Sequence, residues 1–344
     1  MRSYFSSTVT LAALAAACST EETVPRPPVP PVNWHSEMRI STDAGPVRAT
    51  DKERAAAGAY TKALVSPSFA QLSAVLDEDA HFAFEGMRDA HGREKVVEAH
   101  NALFGAFDQR SFATTRLWIT DSAQALEWTM TGVQARDWDG VPATHKAVTI
   151  KGVTLFWTND DGSIKDIHVN FDETVVKVQL GVGPKELAGL PPPLPPSGGA
   201  ATQELEQGRT DVESSNVLQV RASLSALEKG DEAAYLATMT DDVEVNLPER
   251  AQPARGKVEA RAYFKGLRKE IGELDTSVDN ALGVQQFVIV EYFVVGEQLA
   301  PIGWVPPQQE KLIKLSVVDV VEKREGKIAR VWRYEDPAQI LASP

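Results

Sequence analysis

The sequence predicts an α+β protein of two tandem cone-shaped domains, each a curved antiparallel sheet wrapped by about three helices, paired with one another within the chain. Three observations predict it. First, landmarks recur at a nearly constant offset. Gly92 and Gly256, Glu127 and Glu291, Gly132 and Gly296, Pro142 and Pro306, Gly162 and Gly326, and Asp172 and Asp336 each stand 164 residues apart, and Asp79 and Asp242 stand 163 apart. Seven landmarks in one order are the mark of a duplicated unit. Second, each half opens with alanines and leucines at helical spacing and continues with alternating strands. Third, the halves are separated by LPPPLPPSGG (190–199), a composition that reads as a connection. At 344 residues, 43% hydrophobic and 24% charged, the chain is long enough for two domains that each bury a core.

The elements follow in order. Arg2 and the apolar run 9–17 read as a signal segment, too short to span a bilayer. It ends at Leu14-Ala15-Ala16-Ala17-Cys18, which resembles a bacterial lipobox and implies acylation of Cys18 after cleavage. Residues 19–50, polar and proline-rich, read as a tether. The expected location is the cell envelope, exported and lipid-anchored; Ser19 in place of an aspartate points to the outer membrane rather than the inner. The first domain is assigned to 51–183, with helices over 52–64 and 69–76, a strand over 81–85 and a third helix opened by Gly92. Strands over 148–157 and 164–171 are joined at Asp160-Asp161-Gly162, a hairpin turn signal. Residues 184–210 are assigned as linker. The second domain, 211–342, repeats the order: helices over 212–227 and 232–239, a strand over 243–247, then a helix opened by Gly256.

A net charge of −13 with no basic cluster argues against nucleic acid or an anionic membrane face as partner. With Cys18 the sole cysteine, disulfides and thiolate metal clusters are excluded. No metal site is expected, because His91, His100 and His145 lack the i, i+4 pairing of a helical zinc site. No G-x-S-x-G elbow and no dinucleotide fingerprint occur, and no cofactor is expected.

The segment 131–172 carries Gly132, then Gly140-Val141-Pro142-Ala143-Thr144-His145-Lys146, an internal strand glycine at Gly152, the turn Asp161-Gly162-Ser163-Ile164, and His168-Val169-Asn170-Phe171-Asp172. This resembles the signature of the SnoaL-like polyketide and ester cyclases of the nuclear transport factor 2-like superfamily. The second copy keeps Trp332 and Asp336 in VWRYED but lacks the Thr-Gly-Lys triplet. The resemblance implies a cup with an interior ligand cavity. It also implies that the terminal aspartate looks inward as a general acid or base on an enolisable carbon, which makes Asp172 and Asp336 the candidates.

Strand alternation places Ile164, His168, Asn170 and Asp172 on one face and Ile167, Val169 and Phe171 on the other. The even set is expected to line the cup, His168 returning the proton that Asp172 takes, with Trp332 and Tyr334 as its counterparts in the second copy. His81, Ala83 and Glu85 share a face opposite Phe82 and Phe84 and are read as further cavity lining. The odd face, with Val331, is expected to pack sheet on sheet between the copies. Fold alone licenses no activity. Export leaves a cytoplasmic cyclase's substrate supply, so the first reading is a module whose cups bind a small apolar ligand or a protein partner without catalysis. The alternative is a cyclase- or isomerase-type acid-base enzyme acting on a carbonyl compound in the first domain.

Overall fold

In the first repeat, α1 (Asp51–Val65) and α2 (Ala70–Ser73) lead into β1 (Leu76–Phe84), β2 (Arg88–His91) and α3 (Arg93–Phe104). The strands β3 (Phe107–Ile119), β4 (Gln124–Gln134), β5 (Ala147–Thr158) and β6 (Ile164–Phe171) then run as a meander closed by α4 (Glu173–Leu180). After β7 (Gln203–Glu206), the second repeat has α5 (Asp211–Lys229), α6 (Glu232–Ala237), β8 (Met239–Asn246), β9 (Ala254–Arg255) and α7 (Gly256–Glu270). Its meander is β10 (Ile271–Val284), β11 (Phe287–Gln298), β12 (Leu312–Arg324) and β13 (Lys327–Tyr334), followed by α8 (Gln339–Ala342). The structure, a computed structural model, describes residues 51–66, 69–84, 88–121, 123–194, 201–248, 250–307 and 312–342. Cys18, the apolar run before it, the tether and Glu85 lie outside the described residues.

The strand orders are β2-β1-β6-β5-β4-β3-β7 and β10-β11-β12-β13-β8-β9, so the two repeats share one topology. In each, the leading strand lies parallel to the last strand of the meander, β1 on β6 and β8 on β13, while the meander itself is antiparallel. The helix expected over 69–76 stops at Ser73, because Leu76 already pairs with Ile164 in the sheet. The segment 184–210 is not all connection: β7 runs parallel along Arg116–Ile119 of β3 and extends the first sheet. Among the described residues, no helix is long and apolar enough to cross a membrane.

Local chemistry sets the element ends. Thr210 and Glu213 form a reciprocal capping box at the start of α5, and Gly230 ends it in the left-handed region at φ 73°. The β5–β6 hairpin turns at Gly162, φ 90°, which a side chain would resist.

Each sheet buries one face under its own helices and the other against the second sheet. In β4, Trp128 and Met130 join the core beneath α1 and α3, while Ala125 belongs to a separate apolar layer shared with the other repeat. That layer brings Trp118, Val153 and Leu155 of the first repeat against Leu282, Phe287, Ile289, Val318 and Val320 of the second. Each such side chain removed from water contributes on the order of 1.5–3 kcal/mol, so the repeats are held together hydrophobically as an intrachain pseudo-dimer.

The faces are reversed from the expectation. Ile167, Val169 and Phe171 lie fully buried in the first repeat's own core, and Val331 lies in the core of the second. The even-numbered face carrying His168 and Asn170 meets the other repeat instead. Alternation separates the two faces of a strand but does not say which one the helices cover. In the first repeat the helices take the wholly apolar face, because an unbroken aromatic and aliphatic surface is costlier to leave wet.

Candidate functional site

The residues expected to line the cups converge instead on the seam between the repeats. His168 Nδ1 lies 2.9 Å from both carboxylate oxygens of Glu291 on β11. Tyr334 donates its hydroxyl to Glu127 on β4 at 2.5 Å. Asp336 accepts from the Thr174 backbone N–H at 3.0 Å and the Thr174 hydroxyl at 2.8 Å, tying the end of β13 to α4 of the first repeat. Trp332 packs beneath the guanidinium of Arg116, 4.0 Å from Cζ to the ring centroid. Asn170 is buried at the seam opposite Val153. Asp172 caps α4, its Oδ1 accepting from the Val175 N–H at 2.8 Å. His81 and Ala83 lie on the outer face of β1, paired with Asp166 and His168 of β6.

The two glutamates of the repeat pattern occupy pseudo-equivalent seam positions. Glu127, 2% exposed, receives both Nε and Nη2 of Arg116 at 2.8 Å, with Lys151 Nζ at 3.6 Å. Burial pushes its carboxyl up, but Arg116, Lys151 and the Tyr334 hydroxyl outweigh burial and hold it down at about 2. Glu291 receives His168 and the Asn280 amide at 2.7 Å. Burial lowers His168, yet the charges of Glu291 and Asp166 raise it to about 10, so the imidazole is a cation at the seam.

The interior of the first cup is filled. Trp128 fills its centre between Phe104, Phe112 and Phe171, and donates Nε1–H to the Thr154 hydroxyl at 3.0 Å. Gly152 is required beside it, since a Cβ there would run into the indole. Deeper in, the fully buried His100 bonds Tyr60 Oη at 3.1 Å and the Val96 carbonyl at 2.8 Å, and burial pushes its imidazole down to about 4.

Strand register aligns Trp128, Thr154 and Val169 of the first cup with Tyr292, Asp319 and Arg333 of the second. There Arg333 grips Asp319 through Nε at 2.9 Å and Nη2 at 2.8 Å, and Tyr292 donates to Asp319 at 2.9 Å. Burial and the Glu335 charge push the Asp319 carboxyl up, while the hydrogen bond from Tyr292 opposes them. Sequence reasoning missed this trio. Its signal was a single carboxylate inside the apolar run SVVDVV, which in a strand demands a buried partner.

Where the sheets diverge at one end of the seam, a cleft of about 530 Å³ opens between the repeats. The hydroxyl side chains Thr115, Thr129 and Thr149 with Lys151 form one wall, and Asn246, Leu247, Arg250 and Trp332 form the other. Val175 and Val176 of α4 and the stretch Pro191–Leu194 complete it, and Asp172 borders it. At the opposite edge of the first sheet, His81, His91, Asp89 and Asp166 lie on the face turned away from the first repeat's own helices, the face that carries His168 to the seam. There His81 is raised by its hydrogen bond to Asp166, with burial opposing.

The SnoaL-like domain family model matches twice, over residues 57–167 and 220–331. Among solved structures, a protein named as a SnoaL-like polyketide cyclase from Jannaschia is 21% identical, with TM-score 0.37, covering 40% of this chain and 96% of its own. A protein named as a polyketide cyclase from Pseudomonas putida is 23% identical, with TM-score 0.31, covering 37% of this chain and 96% of its own. No curated protein sequence matches the chain.

Proposed function

Because this chain belongs to the SnoaL-like domain family through both of its repeats, we propose that it is a small-molecule-binding protein that holds its ligand in the cleft between the repeats, without catalysis. The observation that carries this reading is the cleft itself. Its volume of about 530 Å³ falls in the range of sites for compact organic ligands, about 300–1,000 Å³. Leu247, Trp332, Val175 and Val176 offer an apolar wall, while Lys151, Arg250 and the threonine hydroxyls offer cations and donors. That lining suits an apolar body with an anionic or oxygen-rich head. The filled first cup supports the same reading, because the interior that would hold a substrate is occupied by Trp128. Acylation at Cys18 would place the cleft at a membrane surface of the cell envelope, on a tether of residues 19–50.

A second reading, acid-base turnover of a carbonyl compound, is favoured by one observation in the second cup. Tyr292, Asp319 and Arg333 set a phenol and a carboxyl side by side in a buried environment, the pairing that such chemistry uses. The network is closed on itself, however, and each member already has its partners, so binding in the cleft is the leading reading.

The test uses 1-anilinonaphthalene-8-sulfonate, an apolar fluorophore with an anionic head, titrated into the full chain. Thr129→Trp, which fills the cleft from the first sheet, is expected to abolish the fluorescence gain while circular dichroism stays unchanged. Undiminished binding by this variant refutes the cleft as the site. Loss of an enolisation activity in Asp319→Asn would instead establish the second reading.

A further inference from the structure

We propose that the outer face of β2-β1-β6 is a binding site for a divalent transition-metal cation, ligated by His81, Asp89 and His91 and oriented by Asp166. Strand geometry alone brings these groups together. Asp89 and His91 are two apart on β2 and therefore project from the same face. His81 on β1 stands directly opposite His91, and Asp166 on β6 stands directly opposite His81. Directly opposed side chains have Cβ atoms about 4.5–5.5 Å apart, close enough for two imidazoles to reach one ion. The donor atoms of His81, Asp89 and His91 all lie within 4.8 Å of one another.

The hydrogen bonding assigns each nitrogen. His81 Nδ1 lies 2.8 Å from Asp166 Oδ1, and since a carboxylate only accepts, Nδ1 carries the proton. Nε2 likewise donates to Asp89 Oδ1, its close neighbour, so a metal would enter by displacing that one proton. His91 Nε2 lies 3.2 Å from the other Asp89 oxygen, Oδ2. With that proton displaced, His81 Nε2, Asp89 and His91 Nε2 supply three donors to one point, and Asp166 behind the first imidazole holds the remaining proton on Nδ1. A carboxylate–histidine pair of this kind orients the nitrogen and raises its basicity toward a metal.

Charge favours a cation here as well. Asp89, Asp166 and Glu291 bring three carboxylates to this face against one remaining cation, His168, which bridges from Asp166 at 3.3 Å to Glu291 at 2.9 Å. Two imidazoles and one carboxylate are borderline donors that suit zinc, nickel or copper rather than calcium or magnesium. Closure to about 2.0–2.1 Å from each nitrogen requires the stacked rings of His81 and His91, with centroids 4.6 Å apart, to turn toward one ion, and the His91 side chain is 73% exposed. Three protein ligands leave positions open to water or an external ligand, as in sites that do more than hold structure. The cleft is lined by none of these residues, so the two sites are tested independently.

The experiment is a calorimetric titration of zinc chloride into the full chain, stripped beforehand with a chelator. One zinc per chain with micromolar or tighter binding is expected. His91→Ala and His81→Ala should abolish it, and the exposure of His91 makes unfolding an unsuitable explanation for its loss. Asp166→Asn should weaken binding by about 10–100-fold through the orienting hydrogen bond. His145→Ala, at an exposed histidine elsewhere, should bind as the parent does. No binding by the parent, or parent-like binding by His91→Ala, overturns the proposal.

Discussion

Replacing Glu127 by glutamine keeps the size of the side chain and removes the charge on which one end of the seam is organised. Two lines give the magnitude. Glu127 is held at about 2 against an ordinary 4.5, and that difference corresponds to about 3 kcal/mol of stability at neutral pH. Independently, the substitution strands the Arg116 guanidinium, whose side chain is only 12% exposed. Breaking one partner of a buried pair costs about 3–5 kcal/mol. The sign follows from the depressed value: the contribution is present above the unfolded-state pKa and is lost as pH falls toward the folded-state one. Urea unfolding followed by tryptophan fluorescence should therefore show Glu127→Gln less stable by about 3 kcal/mol at pH 7. The gap should narrow to about 1.4 kcal/mol at pH 3, where the parent has begun to lose the same charge. Tyr334→Phe removes the bond from the other repeat and should cost about 1.5–3 kcal/mol, with non-additive coupling in the double variant. A gap below 1 kcal/mol at pH 7, or one that stays constant between pH 7 and pH 3, refutes the assignment of Glu127 as a charged seam residue.

Two further outcomes are expected. His100 is buried neutral, at about 4 instead of 6.5, so its contribution is intact above pH 6.5 and about 3 kcal/mol is lost by pH 4; the pH–stability curve of His100→Gln should be flatter over that window, and an unchanged slope would place the titration elsewhere. If Cys18 is acylated, an alkynyl fatty acid fed to expressing cells should label the parent chain and not Cys18→Ser, and equal labelling of both would exclude the anchor.

The repeated architecture was legible because it rests on periodicity and turn chemistry, which are local. Gly162 needs a positive φ in its hairpin, and β6 runs over Ile164–Phe171, the very residues whose alternation marked it. Which face of β6 turns inward was not local. It depends on where α1 and α3 lie, so Ile167, Val169 and Phe171 went to the core and His168 to the seam. The same limit explains the histidine cluster. A search for metal ligands along a helix looks for i, i+4 spacing, whereas His81 and His91 meet through cross-strand register, and Asp166 arrives from a strand far away in sequence. Glu127 and Glu291 were visible as landmarks, but their meaning waited on the packing. Both are buried carboxylates flanked by apolar residues, and each is bonded by a residue from the other repeat.

Pseudo-symmetry sharpens what the divergence of the repeats means. A homodimer must use identical residues twice at an isologous interface, so any change on one side of its axis is made on the other. A fused pair is released from that rule, and this chain departs from it at every position that matters. The glutamate of the first repeat is paired by arginine and tyrosine, and that of the second by histidine and asparagine. One cup is plugged by Trp128 while the other holds Tyr292, Asp319 and Arg333 at the aligned positions. The outer sheet edge of the first repeat gathers His81, Asp89 and His91, and the second repeat has no histidine at all. The cleft uses walls from both copies, so it exists only because the copies are joined, and the binding reading is accordingly a property of the pair rather than of either cup.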